Sequence, residues 1–237
     1  MTLEQRLRAV AADRYHDRHP FNRRMHAGTL TPEELRRWIT NRFHYQRHIP
    51  VKDALILAAL DGPALRRSWL RRIQDHDGLR EGEGGLERWL RLGEAAGIER
   101  ETLLSGREVL PGVRLAVEGY VNFCRLRTPL EAVAASLTEL AAPDLMVTRI
   151  AAFEEHYPWI EAAGLQYFRT RVTQGAHDGK EALELVLGWA VSPADQDRAV
   201  AALHFKCDVL WSLLDAIDHA GTAAGSGRAA GPEGEAR

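Results

Sequence analysis

The sequence predicts an all-α fold in a single domain, and three observations predict it. Strand-like alternation of apolar and polar residues is scarce along the 237 residues. Helix start and stop signals recur instead, with capping residues and Pro at one end and Gly at the other. Toward the C-terminus, Leu203, Cys207, Leu210, Leu214 and Ile217 recur by four and three, the stripe that a helix buries along one face.

The elements follow in order. Thr31-Pro32-Glu33-Glu34 reads as an N-cap, a first-turn Pro and two acids suited to the positive end of a helix dipole. It opens a helix to about His48. Pro50 breaks or kinks that helix, because it lacks an N–H and its ring crowds the preceding turn. Residues 51–60 continue as an apolar helix that ends at Asp61-Gly62-Pro63. A helix over 64–77 stops at Gly78, and 79–85 form a glycine- and charge-rich loop. Helices over 85–96, 112–127, 129–142, 145–153, 159–174, 180–190 and 194–220 complete the set. Residues 221–237, GTAAGSGRAAGPEGEAR, hold no large apolar group. They are expected to form a disordered tail after a helical domain of residues 1–220.

With 45% of residues hydrophobic, the chain can bury one sizeable core. A formal net charge of -2, from 31 basic and 33 acidic side chains, gives no bulk attraction to nucleic acid or a membrane surface. The start, MTLEQRLRAVAADRYHD, has no apolar signal core, and no apolar run approaches the roughly 18 residues of a membrane span. A cytoplasmic location is the expectation. Cys124 and Cys207 are too few for a disulfide framework, and both sit in apolar helical patterns where buried thiols are ordinary.

Basic residues are nearly all arginine; the lysines are Lys52, Lys180 and Lys206. Lys52 lies inside IPVKDALILAAL, and Lys206 lies between Leu203 and Leu210. Arg42, Tyr45 and Gln46 share one helix face, as do Tyr167 and Arg171. Asp75-His76-Asp77 closes a helix before the glycine loop, where the dipole and the flanking carboxylates favour a cationic imidazole. Brought together, these residues would grip a small polyanion, arginine as a planar fork and lysine as a point charge. Plainer readings stand beside that one. An arginine on a helix is usually exposed or salt-bridged, Lys206 can snorkel out along its stem, and Tyr15, Tyr120 and Tyr157 can be core phenols. A metal site has little support. His44 and His48 stand at i and i+4, but Glu-x-x-His, His-Glu-x-x-His and Cys-x-x-Cys do not occur.

Across these residues the chain resembles the pyrroloquinoline-quinone synthases of the heme-oxygenase-like, TenA-related superfamily. The resemblance is carried by HDRHPFNRRMHAG (16–28), WITNRFHYQRHIPVKD (38–53), RIQDHDG (72–78), GGLERWLRLGEAAG (84–97), LPGVRLAVEGYVNF (110–123), SLTELAAP (136–143), HYPWI (156–160), YFRTR (167–171) and FKCDVLWSLLDA (205–216). It implies a seven-helix bundle, a homodimer, and a closed polar cavity. It also implies ring closure and multi-electron oxidation of a bicyclic, Glu- and Tyr-derived dioxo-tetrahydroquinoline polycarboxylate by oxygen, with release of peroxide. Neither a metal nor a resident redox cofactor is implied, and a pathway carrier protein is a possible partner. By motif, His76, Tyr167 and Arg171 match catalytic positions. Tyr15, His16, Arg42, Tyr45, Gln46, Lys52, Thr138, Glu139, Arg149 and Lys206 match cavity positions.

One departure bears on the chemistry: Met146 stands where the family has a second active-site histidine, and a thioether cannot shuttle a proton. A smaller one is His44, where an aromatic is usual and an imidazole could face solvent. Two other readings stay open. One is a TenA-like hydrolase with Cys124 as nucleophile; the other is a non-catalytic protein that holds the quinone or its precursor.

Overall fold

A computed structural model describes residues 1–226. Its helices are α1 (Leu3–Arg14), α2 (Pro20–His26), α3 (Pro32–Ala59), α4 (Pro63–Asp77), α5 (Gly84–Ala95), α6 (Arg100–Ser105), α7 (Pro111–Leu126), α8 (Pro129–Ala134), α9 (Ala142–His156), α10 (Gln166–Trp189) and α11 (Pro193–Ser226). Short 3-10 turns cover His16–Arg18, Ala135–Leu140 and Ala162–Leu165. Every regular element among the described residues is helical. Thr2 with Gln5, Thr31 with Glu34 and Thr128 with Glu131 form reciprocal capping boxes that satisfy otherwise orphaned N–H groups.

Helix α3 runs through the middle and packs on α4, α5, α7 and α11, while α10 lies against α9, α5, α8 and the 135–140 turn. The core beside the site is aromatic. Trp38 has Trp89 at 5.5 Å and both Phe153 and Phe168 at 6.4 Å between ring centroids. Full burial of such side chains stabilises by roughly 1.5–3 kcal/mol each, and the buried Trp89 indole N–H donates to the Ile39 carbonyl at 3.0 Å.

Several boundaries differ from the sequence reading, each for a physical reason. The described residues hold eleven α-helices rather than seven, and three of these, α2, α6 and α8, are short, with 7, 6 and 6 residues. Helix α3 continues through Pro50, losing one N–H donor but keeping its tertiary packing on both sides. The stretch 129–142 divides into α8 and a tighter 3-10 turn. The helices expected over 159–174 and 180–190 are one helix, α10. Gly179 serves close approach rather than a turn: a Cβ there would lie 3.0 Å from the Leu140 nitrogen and 3.1 Å from the Glu139 carbonyl carbon. Helix α11 runs through 221–226, the first part of the expected tail, and the remainder, 227–237, lies outside the described residues.

Candidate active site

Where α3, α4, α9 and α10 converge with the 15–18 and 135–140 turns, a cavity of about 60 Å³ is lined largely by polar side chains. Helix α3 supplies Arg42, Tyr45 and Gln46; the first turn supplies Tyr15 and His16; α4 supplies His76. Thr138 and Glu139 come from the second turn, Met146 and Arg149 from α9, and Tyr167 and Arg171 from α10. Trp89, Ile49 and Leu210 add apolar surface. Lys52 and Lys206, each 1% exposed, sit one layer behind this lining. The third lysine, Lys180, is an exposed surface residue 3.9 Å from Glu184.

Six basic side chains are thus gathered in or behind one small cavity, and they fall into two sets. In the first set every cation has a carboxylate. Arg72 contacts Glu139 at 2.5 Å and donates to the Asp178 carbonyl, while its guanidinium stacks 3.9 Å from the Trp69 ring centroid. Arg171 binds Asp178 at 3.1 Å and approaches Glu139 at 3.9 Å. Lys52 lies 2.7 Å from Asp53 and donates to Ser136 Oγ at 3.0 Å. Burial alone would raise the Glu139 carboxyl, but Arg72, Lys52 and Arg171 outweigh it and hold it below its ordinary range. Burial and the neighbouring Glu139 push Asp178 upward.

The second set has no carboxylate partner among the described residues. Buried Arg149 donates from Nη2 to Asn22 Oδ1 at 3.2 Å, faces the Trp38 ring at 4.9 Å, and leaves Nε unbonded. Arg42 stacks 4.1 Å from the Tyr45 ring centroid with Nη1 unbonded. Lys206 donates to the Tyr45 hydroxyl at 2.6 Å and sits 3.3 Å from the Tyr120 ring centroid. Burial, Arg42 and Lys52 push the Lys206 ammonium well below its ordinary range. Burial and Arg42 likewise draw down Arg149. Buried charge without a counter-charge is costly, so this wall is built for an anion that arrives from outside.

The expectation that His76 favours its cationic form is overturned. Burial, with Arg171 nearby, lowers its pKa to about 3, which outweighs the dipole at the end of α4. Its Nδ1 lies 3.0 Å from the Arg72 carbonyl, which can only accept, so Nδ1 carries the proton and Nε2 keeps its lone pair. The glycine loop packs closely against the backbone that carries this imidazole. Gly84, at φ +86, allows an approach in which a Cβ would lie 2.5 Å from the His76 carbonyl oxygen. Gly85 similarly lets Tyr167 Cε2 come within 3.5 Å of where a Cβ would be. Tyr167 donates from its hydroxyl to Gln46 Oε1 at 2.8 Å. Burial raises the phenols of Tyr15, Tyr45 and Tyr167, so each remains protonated near neutral pH.

Other sequence-flagged residues lie elsewhere. His44 is buried, not solvent-facing, with its ring 4.5 Å from that of His48 and its pKa lowered by burial to about 4. Cys124 is buried off the cavity lining, and burial raises its thiol pKa, against the thiolate a nucleophile needs. Tyr157 donates to the Met25 carbonyl at 3.0 Å, a core phenol. Arg72, Asp178, Asp53 and Asn22 were not singled out from the sequence. Arg72 stands at i−4 from His76, and Asp178 at i+7 from Arg171, so helical spacing carried a signal for both.

The profile of the TENA/THI-4/PQQC family matches residues 4–216. The chain is 49% identical over 220 residues to a pyrroloquinoline-quinone synthase of Cronobacter sakazakii, covering 93% of this chain and 87% of that one. It is 47% identical over 215 residues to a pyrroloquinoline-quinone synthase of Ruegeria pomeroyi, covering 91% and 89%. A solved domain from Shewanella denitrificans, described as having a heme oxygenase-like fold, superposes with a TM-score of 0.77 over 95% of this chain and 94% of that one, at 18% identity. The all-α class and the heme-oxygenase-like architecture are therefore those of this chain. The chain belongs to the TENA/THI-4/PQQC family, together with the pyrroloquinoline-quinone synthases.

Proposed function

We propose that this chain completes pyrroloquinoline quinone, closing the last ring of a bicyclic polycarboxylate precursor and oxidising it with oxygen as co-substrate, with release of peroxide. The observation that carries this reading is the wall of Arg42, Arg149 and Lys206. It offers buried positive charge, without carboxylate partners among the described residues, to a ligand that brings its own carboxylates. Relatives 47–49% identical that bear the synthase name support the same reaction.

The protein's part is binding, proton handling and exclusion of water. The arginines orient the carboxylates. His76, with Nδ1 held by the Arg72 carbonyl and Nε2 free, is positioned as the base for a carbon or nitrogen acid of the ligand; burial makes it a weak base in the empty cavity, and the ligand's negative charge would strengthen it. Tyr167, held by Gln46, lines the same space. The ligand's own quinol supplies the electrons, so the reading includes no metal or resident redox cofactor. A cavity of about 60 Å³ lies far below the roughly 300–1,000 Å³ of small-molecule sites, so lining side chains must move to admit the precursor. The proposal places the protein in the cytoplasm, and no helix among the described residues is long and apolar enough to cross a membrane.

The test is aerobic incubation with the bicyclic precursor, following quinone absorbance and peroxide. The wild type should form both. His76→Asn should bind precursor and stall short of the quinone, and Met146→His should preserve or raise the rate. A wild-type protein that binds the precursor and returns it unchanged would leave a holding protein in place of the synthase.

A further inference from the structure

Asn22 is fully buried, and the proposed chemistry does not yet use it. It lies on α2, and its amide touches two cavity residues at once. Oδ1 accepts from Arg149 Nη2 at 3.2 Å, while Nδ2 donates to the His16 carbonyl at 2.7 Å and lies 2.9 Å from His16 Nδ1. The amide cannot be turned over. Reversed, it would set an oxygen against the His16 carbonyl oxygen and an NH2 against a guanidinium N–H, and both contacts would be repulsive. With the NH2 group facing His16, one of its hydrogens goes to the carbonyl and the other points at Nδ1. That nitrogen must therefore accept, and the imidazole proton sits on Nε2.

We infer that Asn22 is a positioning residue that holds His16 as the Nε2–H tautomer, so the cavity presents one imidazole that donates, His16, and one that accepts, His76. The two rings are set oppositely by the protein itself. His76 donates a hydrogen bond from Nδ1–H to the Arg72 carbonyl, and His16 Nδ1 accepts one from the Asn22 amide. Both line the same cavity, and with Nδ1 engaged each ring has Nε2 left for a ligand. Burial, with Arg42 and Arg149, keeps His16 neutral, and a neutral imidazole N–H is an effective electrophile toward a carbonyl oxygen.

The pair suits a ligand in which an acidic C–H or N–H is conjugated to a ring carbonyl. His76 Nε2 takes the proton, the bonding pair moves through the conjugated ring onto the carbonyl oxygen, and His16 Nε2–H holds that oxygen as its charge develops. No electron leaves the ligand in this step, and the proton taken up by His76 is the one the ligand loses. Met146 lines the same cavity and offers a thioether with no proton to give, so the donor comes from His16 instead. The identity of the ligand rests on the synthase reading, but the tautomers do not.

The test is a two-bond proton–nitrogen correlation spectrum of the ligand-free protein, with His16 and His76 assigned through His16→Gln and His76→Gln. The expected spectrum shows His16 protonated on Nε2 and His76 on Nδ1. His16 protonated on Nδ1 would overturn the inference. In Asn22→Asp the carboxylate can only accept from the ring, so His16 should switch to Nδ1–H while His76 stays unchanged. Affinity for pyrroloquinoline quinone should then fall about tenfold, as for one lost hydrogen bond. A switch that leaves quinone affinity within twofold would refute the donor role. Should Asn22→Asp not fold, quinone added to the wild type decides the same point. A His16 Nε2–H resonance that moves downfield supports the contact, and one that stays put refutes it. Expected tautomers in a protein that makes no quinone from the precursor would remove the synthase reading and leave this inference intact.

Discussion

On one side of the cavity, Arg72, Arg171 and Lys52 each meet a carboxylate; on the other, Arg42, Arg149 and Lys206 meet aromatic rings, an amide and a phenol. The same residue types do different work on the two sides. The paired side is an internal network that joins α4, α10 and the 135–140 turn, and each of its cations faces a counter-charge without a ligand. The unpaired side holds its charge against desolvation and gains its counter-charge only when an anion binds. Stability should therefore be concentrated in the first and affinity in the second.

The largest effect expected from this contrast is on folding. Arg72→Met leaves the half-buried Glu139 without its main partner and the Asp178 carbonyl without its donor, and should cost about 3 kcal/mol in urea unfolding. A loss under 1 kcal/mol would show that the paired side is not a structural network. A second effect sharpens the role of His76 in acid. Its imidazole titrates near 6.5 in the unfolded chain and near 3 when folded, so between those values the unfolded state binds more protons. Stability should fall as pH drops from 7, and at pH 5 His76 alone should account for ~2 kcal/mol of the fall. The pH 7 to pH 5 difference in unfolding free energy should shrink by about that amount in His76→Asn, and an unchanged difference would contradict the buried neutral imidazole.

How much of this was legible in the sequence depends on how far each residue's partners lie along the chain. Capping boxes and the α11 stripe are local, and they gave the helical class directly. Lys52 and Lys206 stood out because the chain otherwise uses arginine, and both are buried at the site. The part of the paired network around Arg72 is the least legible because its contacts are long-range: Arg72 meets Glu139 across 67 positions and Asp178 across 106. Gly175 and Gly179 looked like a break and hid the continuous α10 that carries Asp178 beside Arg171. The charge of His76 was misjudged for a related reason. The helix dipole is readable from local sequence, whereas the desolvation that overrides it is set by α10 and the glycine loop.

A smaller effect concerns Lys206. Its ammonium is pushed well below its ordinary range by burial and by Arg42 and Lys52, and a bound carboxylate should raise it again. Quinone binding should then take up a fraction of one proton in the pH range that lies between the ammonium's free and bound values, read as a dependence of the calorimetric enthalpy on the buffer's ionisation enthalpy. Lys206→Met should abolish that dependence.

The contrast between the two sides is tested most directly at Arg149, by titrating pyrroloquinoline quinone into the wild type and into Arg149→Met and by unfolding both in urea. The account predicts a loss of about 1.5–3 kcal/mol in quinone binding, as for a charge-assisted hydrogen bond, with stability unchanged or raised because a buried unpaired cation has been removed. Unchanged quinone affinity together with a destabilised fold would contradict it, and would make Arg149 part of the scaffold rather than the anion site.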